Sequence, residues 1–387
     1  MTPEPTPKPS LDLLRSLTDE HVLRALMRCR QLTRAELASQ TGISKPPVGE
    51  SVRRLAEAGL VVDTGERTPG GRGRGRVGTY YALGPRSGDA LAVSVQPGGV
   101  VAECVNVFGD TVSRAEAGMD RPGAPGQAVA ALQSAVAGVT GDCATVRAAV
   151  VSAAGPVDRA SGRLVRLPDE PFRLGKLDAA AALRSSVSGP VIVDNDVNWA
   201  ARAERDGLGL GPQDDFVYLF LGEGLGAAMV SNGEVVRGHA GLAGEVAHVV
   251  VPGARGQVTE FIDVFGALGL RHPGSTAIDV PRLLVAAADP GGGAAIRDAI
   301  ARAVSGVLAA CTALADPRFV VIGGAWGSHP AMLAAIAAAA GRLPRPVAVQ
   351  PAAVTAEPSL AGARDEALAL LRAAILATAW QAAGRPA

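Results

Sequence analysis

The stretch from Thr33 to Leu55 restricts this chain more than any other, because it spells two short helices and the tight turn between them. Thr33-Arg34-Ala35-Glu36 has the spacing of a capping box, in which each of the two outer side chains accepts the other residue's backbone N–H at a helix start. The helix it opens carries Leu37 and Ala38 and breaks at Gly42, a residue that takes left-handed backbone angles without penalty. A further segment follows Ser44, with Val48, Val52 and Leu55 at helical spacing on its inner side. Pro46 and Pro47 fall in its first turn, where N–H groups have no intrahelical acceptor, so Ser44 has few donors left to cap. Small Ala38, turn-forming Gly42 and apolar Val48 fit a helix-turn-helix, in which a small residue lets two helices cross closely. An earlier helix is expected from Thr18 to Arg30, with Val22, Leu23 and Leu26 inward.

With the inner face fixed, Lys45, Gly49, Glu50, Arg53 and Arg54 are left on the outer or flanking faces, where a recognition helix meets base edges and phosphates. A plain solvated helix face would look the same in isolation. It does not stand in isolation. Gly59-Leu60-Val61-Val62 reads as a turn and strand, and Thr79-Tyr80-Tyr81-Ala82-Leu83 as a second strand, the outline of a hairpin wing. Between them Arg72, Arg74 and Arg76 alternate with glycine, a cationic tip able to follow a phosphate backbone or enter a narrow minor groove, or else a flexible linker. Residues 1–86 hold 14 Lys and Arg against 9 Asp and Glu, a charge of +5 that the rest of a formally neutral chain cancels. Double-stranded DNA is the expected partner.

At 387 residues the chain exceeds one ordinary core. The expected division is an arm over 1–17, a winged helix-turn-helix over 18–86 and a larger region over 87–387. The first ten residues lack the apolar stretch of a signal peptide. Apolar Ala303–Ala315 is bounded by Arg302 and Asp316 and falls short of the roughly 20 residues of a membrane span, so a cytoplasmic protein with no membrane partner is expected. Cys29, Cys104, Cys143 and Cys311 have neither disulfide-framework nor zinc-knuckle spacing and read as reduced, small, buried apolar residues.

Past Gly84-Pro85, apolar runs at Ala90–Val95, Val100–Val107, Arg147–Ser152, Val191–Val193, Phe216–Leu221 and Phe319–Ile322 alternate with alanine-rich helical stretches. That alternation indicates mixed α/β architecture, with no internal repeat evident.

Val193-Asp194-Asn195-Asp196-Val197-Asn198 resembles the strand-end signature of the ROK family of sugar kinases and repressors. Arg237-Gly238-His239-Ala240-Gly241-Leu242-Ala243-Gly244-Glu245-Val246-Ala247-His248 is similar to the family's glycine-rich stretch ending in Gly-Glu-x-x-His. Gly155-Pro156-Val157-Asp158 with Gly162, and Val320-Val321-Ile322-Gly323-Gly324, resemble its cleft loop and its adenosine-side signature. The likeness implies a two-lobed actin-like (ribonuclease H-like) ATPase fold over about residues 88–380. It also implies that Asn195, Asp196, Glu245 and His248 bind a sugar, with Asp196 at the position of the kinases' general base. The rival reading of the same aspartate-rich run is an Asx turn that does no more than cap a helix starting near Trp199.

Departures from the pattern argue against catalysis. The family's first phosphate loop needs an aspartate, two glycines and a threonine, whereas Val93-Ser94-Val95-Gln96-Pro97-Gly98 puts Ser94 at the acid and Pro97, without an N–H, in the loop. In Leu221-Gly222-Glu223-Gly224-Leu225-Gly226 the glycines stay, but Glu223 would face phosphate. Two like charges at 4 Å repel by about 4 kcal/mol near a protein surface, roughly three decades in affinity. The cysteine cluster that holds zinc in many members is absent from Pro252–Glu260, and His248 alone cannot make a four-ligand site. Glu260 matches the family's later sugar-binding glutamate to within one residue. The expectation is a DNA-binding regulator of repressor type, homodimeric or homotetrameric, whose cleft senses a sugar-like effector, with no active catalytic residue, no bound metal and no ATP. The rivals are an ATP-dependent sugar kinase with an appended DNA-binding domain, and a body retained only for oligomerisation.

Overall fold

The helix expected from Thr18 begins earlier, for α1 spans Leu11–Cys29 in the computed structural model, which describes residues 11–68, 78–120, 126–167 and 177–383. Asp12 lies in its first turn, where the helix dipole favours a carboxylate, and pairs with Arg15 at 3.2 Å. Residues 11–17 are therefore helix rather than loose arm, and the boundary expected after residue 17 cuts through α1. The strand β1 (Gln31–Thr33) leads into α2 (Arg34–Thr41) and α3 (Lys45–Glu57). Both halves of the capping box form: the Thr33 hydroxyl accepts from the Glu36 N–H at 3.3 Å, and the Thr33 N–H donates to the Glu36 carboxylate at 2.8 Å. Gly42 ends α2 at φ +70°, and Ser44 precedes α3 without a side-chain cap, as its two prolines require. The strands β2 (Val61–Arg67) and β3 (Thr79–Leu83) form the wing, and β1, too short to announce itself, pairs with β3 on its free edge.

The body opens with β4 (Asp89–Gln96), β5 (Gly99–Val105), β6 (Thr111–Gly118), α4 (Gln127–Thr140), β7 (Val146–Ala153), α5 (Ala179–Leu183), β8 (Val191–Asn195) and α6 (Asp196–Gly207). Its first sheet has the order β6-β5-β4-β7-β8, with β4, β7 and β8 parallel. The strands β4 and β7 read as nearly unbroken apolar runs because both faces are covered. The second lobe contains β9 (Phe216–Leu221), β10 (Leu225–Ser231), β11 (Glu234–Val235), β12 (Val250–Pro252) and β13 (Val258–Glu260). It continues through α7 (Phe261–Ala267), α8 (Val280–Ala288), α9 (Gly293–Ala315), β14 (Phe319–Gly323), α10 (Pro330–Ala340) and β15 (Ala348–Pro351). Its sheet runs β11-β10-β9-β14-β15, the same order and the same mixture of antiparallel and parallel pairs as the first. The body is thus a structural duplication that no sequence repeat announces.

By length and composition α9 could cross a bilayer. In the structure one face of it, with Ile300, Val304, Val307 and Leu308, is packed into the second lobe's core beside Phe261, Phe265 and Trp326. The chain then returns as α11 (Pro358–Ala383), which lies on the first sheet opposite α4 and reaches α1. One apolar cluster joins Val22, Leu23 and Leu26 of α1, Leu371 and Ile375 of α11, and Ala90 and Val150 of the first sheet. The expectation of four reduced cysteines needs correction. Cys104 on β5 and Cys143 just beyond α4 form a disulfide, their Cα atoms 6.5 Å apart, while Cys29 and Cys311 are free. A separation of 39 residues hid a pair that the packing of α4 on β5 brings together.

Candidate ligand cleft and DNA-reading head

The two lobes meet over α6. Asn195 caps that helix, its side-chain oxygen accepting the Val197 N–H at 2.8 Å and its amide donating to the Gly155 carbonyl at 3.0 Å. The helix starts at Asp196 rather than near Trp199, and the capping and cleft-lining readings of this motif are compatible: Asn195 and Asp196 both line the cleft. Burial pushes the Asp196 carboxyl up to about 6, against the opposing hydrogen bonds from Gln96 and the Val197 backbone. Asp194, the residue before Asn195, points away into the protein, where it accepts from Arg237 at 2.7 Å and Asn198 at 2.9 Å.

Glu245 and His248 line the same cleft, so the four residues expected to bind ligand lie around one cavity. Two glycines bring their loop close. Gly244 sits at φ +96°, and a Cβ there would run into the Ala227 carbonyl. Gly241 sits at φ +88°, with the Val157 carbonyl in the same relation. His248 Nδ1 lies 2.6 Å from the Glu260 carboxylate, leaving Nε2 for a ligand. The antiparallel pair β12–β13 holds that contact, with Val250 opposite Glu260. A strand pair thus orders the segment in which many family members place a metal. The sequence reading missed the apolar share of the cleft: Leu167, Phe220 and Ile262 line it together with the polar groups. Only their folding together reveals it, since the three lie on separate elements.

The two stretches that resemble the family's phosphate loops form the β4–β5 and β9–β10 hairpin turns. Ser94 is buried within β4, and Gln96 closes the β4–β5 hairpin with its amide 3.5 Å from the Asp196 carboxylate. In the β9–β10 turn the Gly222 N–H bonds to the Gly224 carbonyl, while the Gly222 carbonyl accepts from the Trp326 indole at 2.9 Å. Pro97 and Glu223 sit in these two turns. Among the described residues, one group of His, Cys and acidic side chains is close enough to share an ion, Asp89 with Cys104 and Cys143, and there the two sulfurs are bonded to each other.

In the head, Lys45, Glu50 and Arg53 are exposed on α3 and Gly49 is half-buried. Arg53 bridges Glu50 at 2.9 Å and Glu57 at 2.7 Å, exposed pairs that a phosphate could displace. Arg54 corrects the expectation. It turns inward onto Asp19 of α1 at 2.6 Å, whose side chain is 3% exposed, because that carboxylate would otherwise be buried without a counter-charge. Arg54 is thus committed to the packing of α3 on α1. Arg72, Arg74 and Arg76 lie outside the described residues. Arg34, which the sequence reading did not single out, is exposed at the first position of α2 and stacks over the Tyr81 ring of β3 at 5.1 Å.

Comparison with known proteins agrees with this architecture. Residues 15–62 match a winged helix-turn-helix DNA-binding model and residues 111–261 the ROK family model. A xylose repressor of Caldicellulosiruptor bescii is 30% identical over 25% of this chain and 24% of its own length. A glucokinase of Halalkalibacterium halodurans is 44% identical over 16% of this chain and 19% of its own. The matches therefore span under a third of either relative. Among solved structures, a Streptomyces griseus ROK glucokinase in complex with glucose and AMPPNP is 26% identical, covering 72% of this chain and 99% of its own at a TM-score of 0.55. A ROK family transcriptional regulator, a homologue of the E. coli MLC protein, shares the fold of head and body together: TM-score 0.59, 17% identity, 95% of this chain and 99% of that one. The chain thus joins a segment that matches the winged helix-turn-helix DNA-binding model, residues 15–62, to one that matches the ROK family model, residues 111–261.

Proposed function

We propose that this protein is a cytoplasmic, homodimeric or homotetrameric transcriptional regulator of repressor type. Its head binds double-stranded DNA and its cleft senses a sugar or related metabolite. The observation that carries the reading is the combination in one chain of a helix-turn-helix head with a cleft where Asn195, Asp196, Glu245 and His248 converge. The names of the xylose repressor and of the MLC homologue are consistent with it. Two heads would read half-sites about one helical turn apart. An effector changes occupancy of the operator only if it binds two states of the protein unequally. Fluorescence anisotropy with the DNA upstream of the gene, titrated with salt and repeated with glucose, xylose and amino sugars, tests both parts. Binding no tighter than to random DNA sinks the regulator, and a DNA affinity untouched by any sugar sinks the sensor.

An ATP-dependent sugar kinase is the second reading, favoured by Asp196, whose value of about 6 suits a general base. Against it stand Gln96 on that carboxylate, Pro97 without a donor, and Glu223 where phosphate would lie. We infer no catalysis, no resident metal and no ATP binding. Sugar-dependent ADP release would reverse that inference.

A further inference from the structure

We propose that α11 is the strut through which the cleft communicates with the DNA-reading head, and that Gly362 is the residue positioning it. The proposal rests on the regulator reading. The cleft end begins at α6, whose first residue is Asp196. Val197, Ala200 and Ala201 of α6 pack on the second lobe's sheet, while Trp199 faces α11 in the cluster that holds Leu360, Ala363 and Ala367. One helix therefore touches the cleft, the second lobe and the strut.

The crossing of α6 and α11 is backbone on backbone. At Gly362 a side chain as small as a methyl would run into the Trp199 carbonyl, so the helices cannot approach with any other residue there. Arg202 and Glu366, one turn on, pair at 2.6 Å with side chains 26% and 18% exposed. On the ligand side, Arg237 at the head of the glycine-rich loop bonds Asp194, which also holds Asn198. The loop presenting Glu245 and His248 is thereby tied to the first turn of α6.

At its far end α11 is fastened to the head. Leu371, Ile375 and Ala379 share a core with Val22, Leu23 and Leu26 of α1. The Trp380 indole donates to Glu20 at 3.2 Å, and the neighbouring Asp19 holds Arg54 of α3. Arg147 of β7 donates to the Ala374 carbonyl at 3.1 Å. Each link is a close-packed or hydrogen-bonded contact, and interiors packed at crystal density shift between discrete arrangements rather than yielding gradually.

Coupling between sites is reciprocal, so the test needs no effector: DNA bound at the head must alter the cleft. Full-length protein selects duplexes from a random library, and hydrogen exchange is followed with and without an enriched duplex. The expected result is an altered exchange rate at residues 194–202 and 237–248, by about fivefold or more. In Gly362→Ala and in Glu366→Gln, DNA affinity stays within about threefold and that distant response is lost. A merely structural role would lower the melting temperature and leave the response in place. Tight DNA binding without altered exchange in those segments overturns the strut while leaving the regulator intact, as does a native response in both variants. If Gly362→Ala fails to fold, Glu366→Gln decides. If no duplex is enriched, the regulator reading falls and the strut with it.

Discussion

Gln96, the last residue of β4, donates its side-chain amide to the carboxylate of Asp196, the first residue of α6, across 3.5 Å. A neutral amide thus lies against the carboxyl that bears the chemistry in the family's kinases, and the partner it offers is weak at that distance. Desolvation therefore dominates, and the group is held up at about 6 from an ordinary 3.8.

Stability should follow that shift. The folded chain holds the Asp196 proton more tightly than the unfolded one. The contribution is fully present below pH 3.8 and is lost as pH rises through about 6. Asp196→Asn stays uncharged throughout, so urea unfolding at pH 7.5 should find it about 3 kcal/mol more stable than the parent. At pH 4 the two should coincide. A difference that does not vary with pH would contradict the desolvated carboxyl.

Neighbouring arginines on α3 should behave differently. Arg54→Ala strands the buried Asp19 carboxylate and should destabilise the fold by roughly 2–4 kcal/mol in denaturant melts, with base selectivity of the folded fraction kept. Arg53→Ala should leave the melt unchanged and relax selectivity at particular bases of a selected site. Equal effects on both assays would erase the distinction.

Arg74 lies outside the described residues, between β2 and β3 in sequence, and Arg74→Ala should weaken binding to all sequences alike and reduce the salt slope by about one. A loss confined to one base position would place this arginine in base reading instead.

Gly244→Ala would combine φ +96° with a collision at the Ala227 carbonyl. The loop can only dock displaced, so we expect sugar binding by calorimetry to weaken at least about tenfold while DNA selection in the absence of sugar persists. Unchanged sugar affinity would show that the loop does not present the ligand groups.

The Cys104–Cys143 bond closes a loop of 39 residues, a constraint worth roughly 4 kcal/mol in the chain-entropy account. Cys143→Ser should lower the stability of the oxidised protein toward that of the reduced one. Intact mass after alkylation without reductant should show two modified cysteines rather than four.

What the sequence revealed was local. The capping box, the proline pair and the 3.6-residue spacing placed α2 and α3 because each acts within a few residues. The body's strands were readable because burial on both faces makes them apolar end to end. Partners far apart in sequence were not readable: Arg54 looked like any outward cation until α1 brought Asp19 beneath it, and nothing in Cys104 pointed to Cys143. Likewise α11 is apolar on most sides, so its pattern could not say that it spans sheet, α6 and head. The four ligand residues came from motif likeness, whereas Leu167, Phe220 and Ile262 belong to no motif.

The bond between Glu20 and Trp380 joins residues 360 apart in the chain. A ribosome releases the helix-turn-helix long before it releases α11, so the head acquires its fixed bearing only after nearly everything between has been made and folded. Orientation of the recognition helix is then among the last features to form in biosynthesis. A chain that misfolds anywhere in the body would leave a head that is folded but has no fixed orientation on the body.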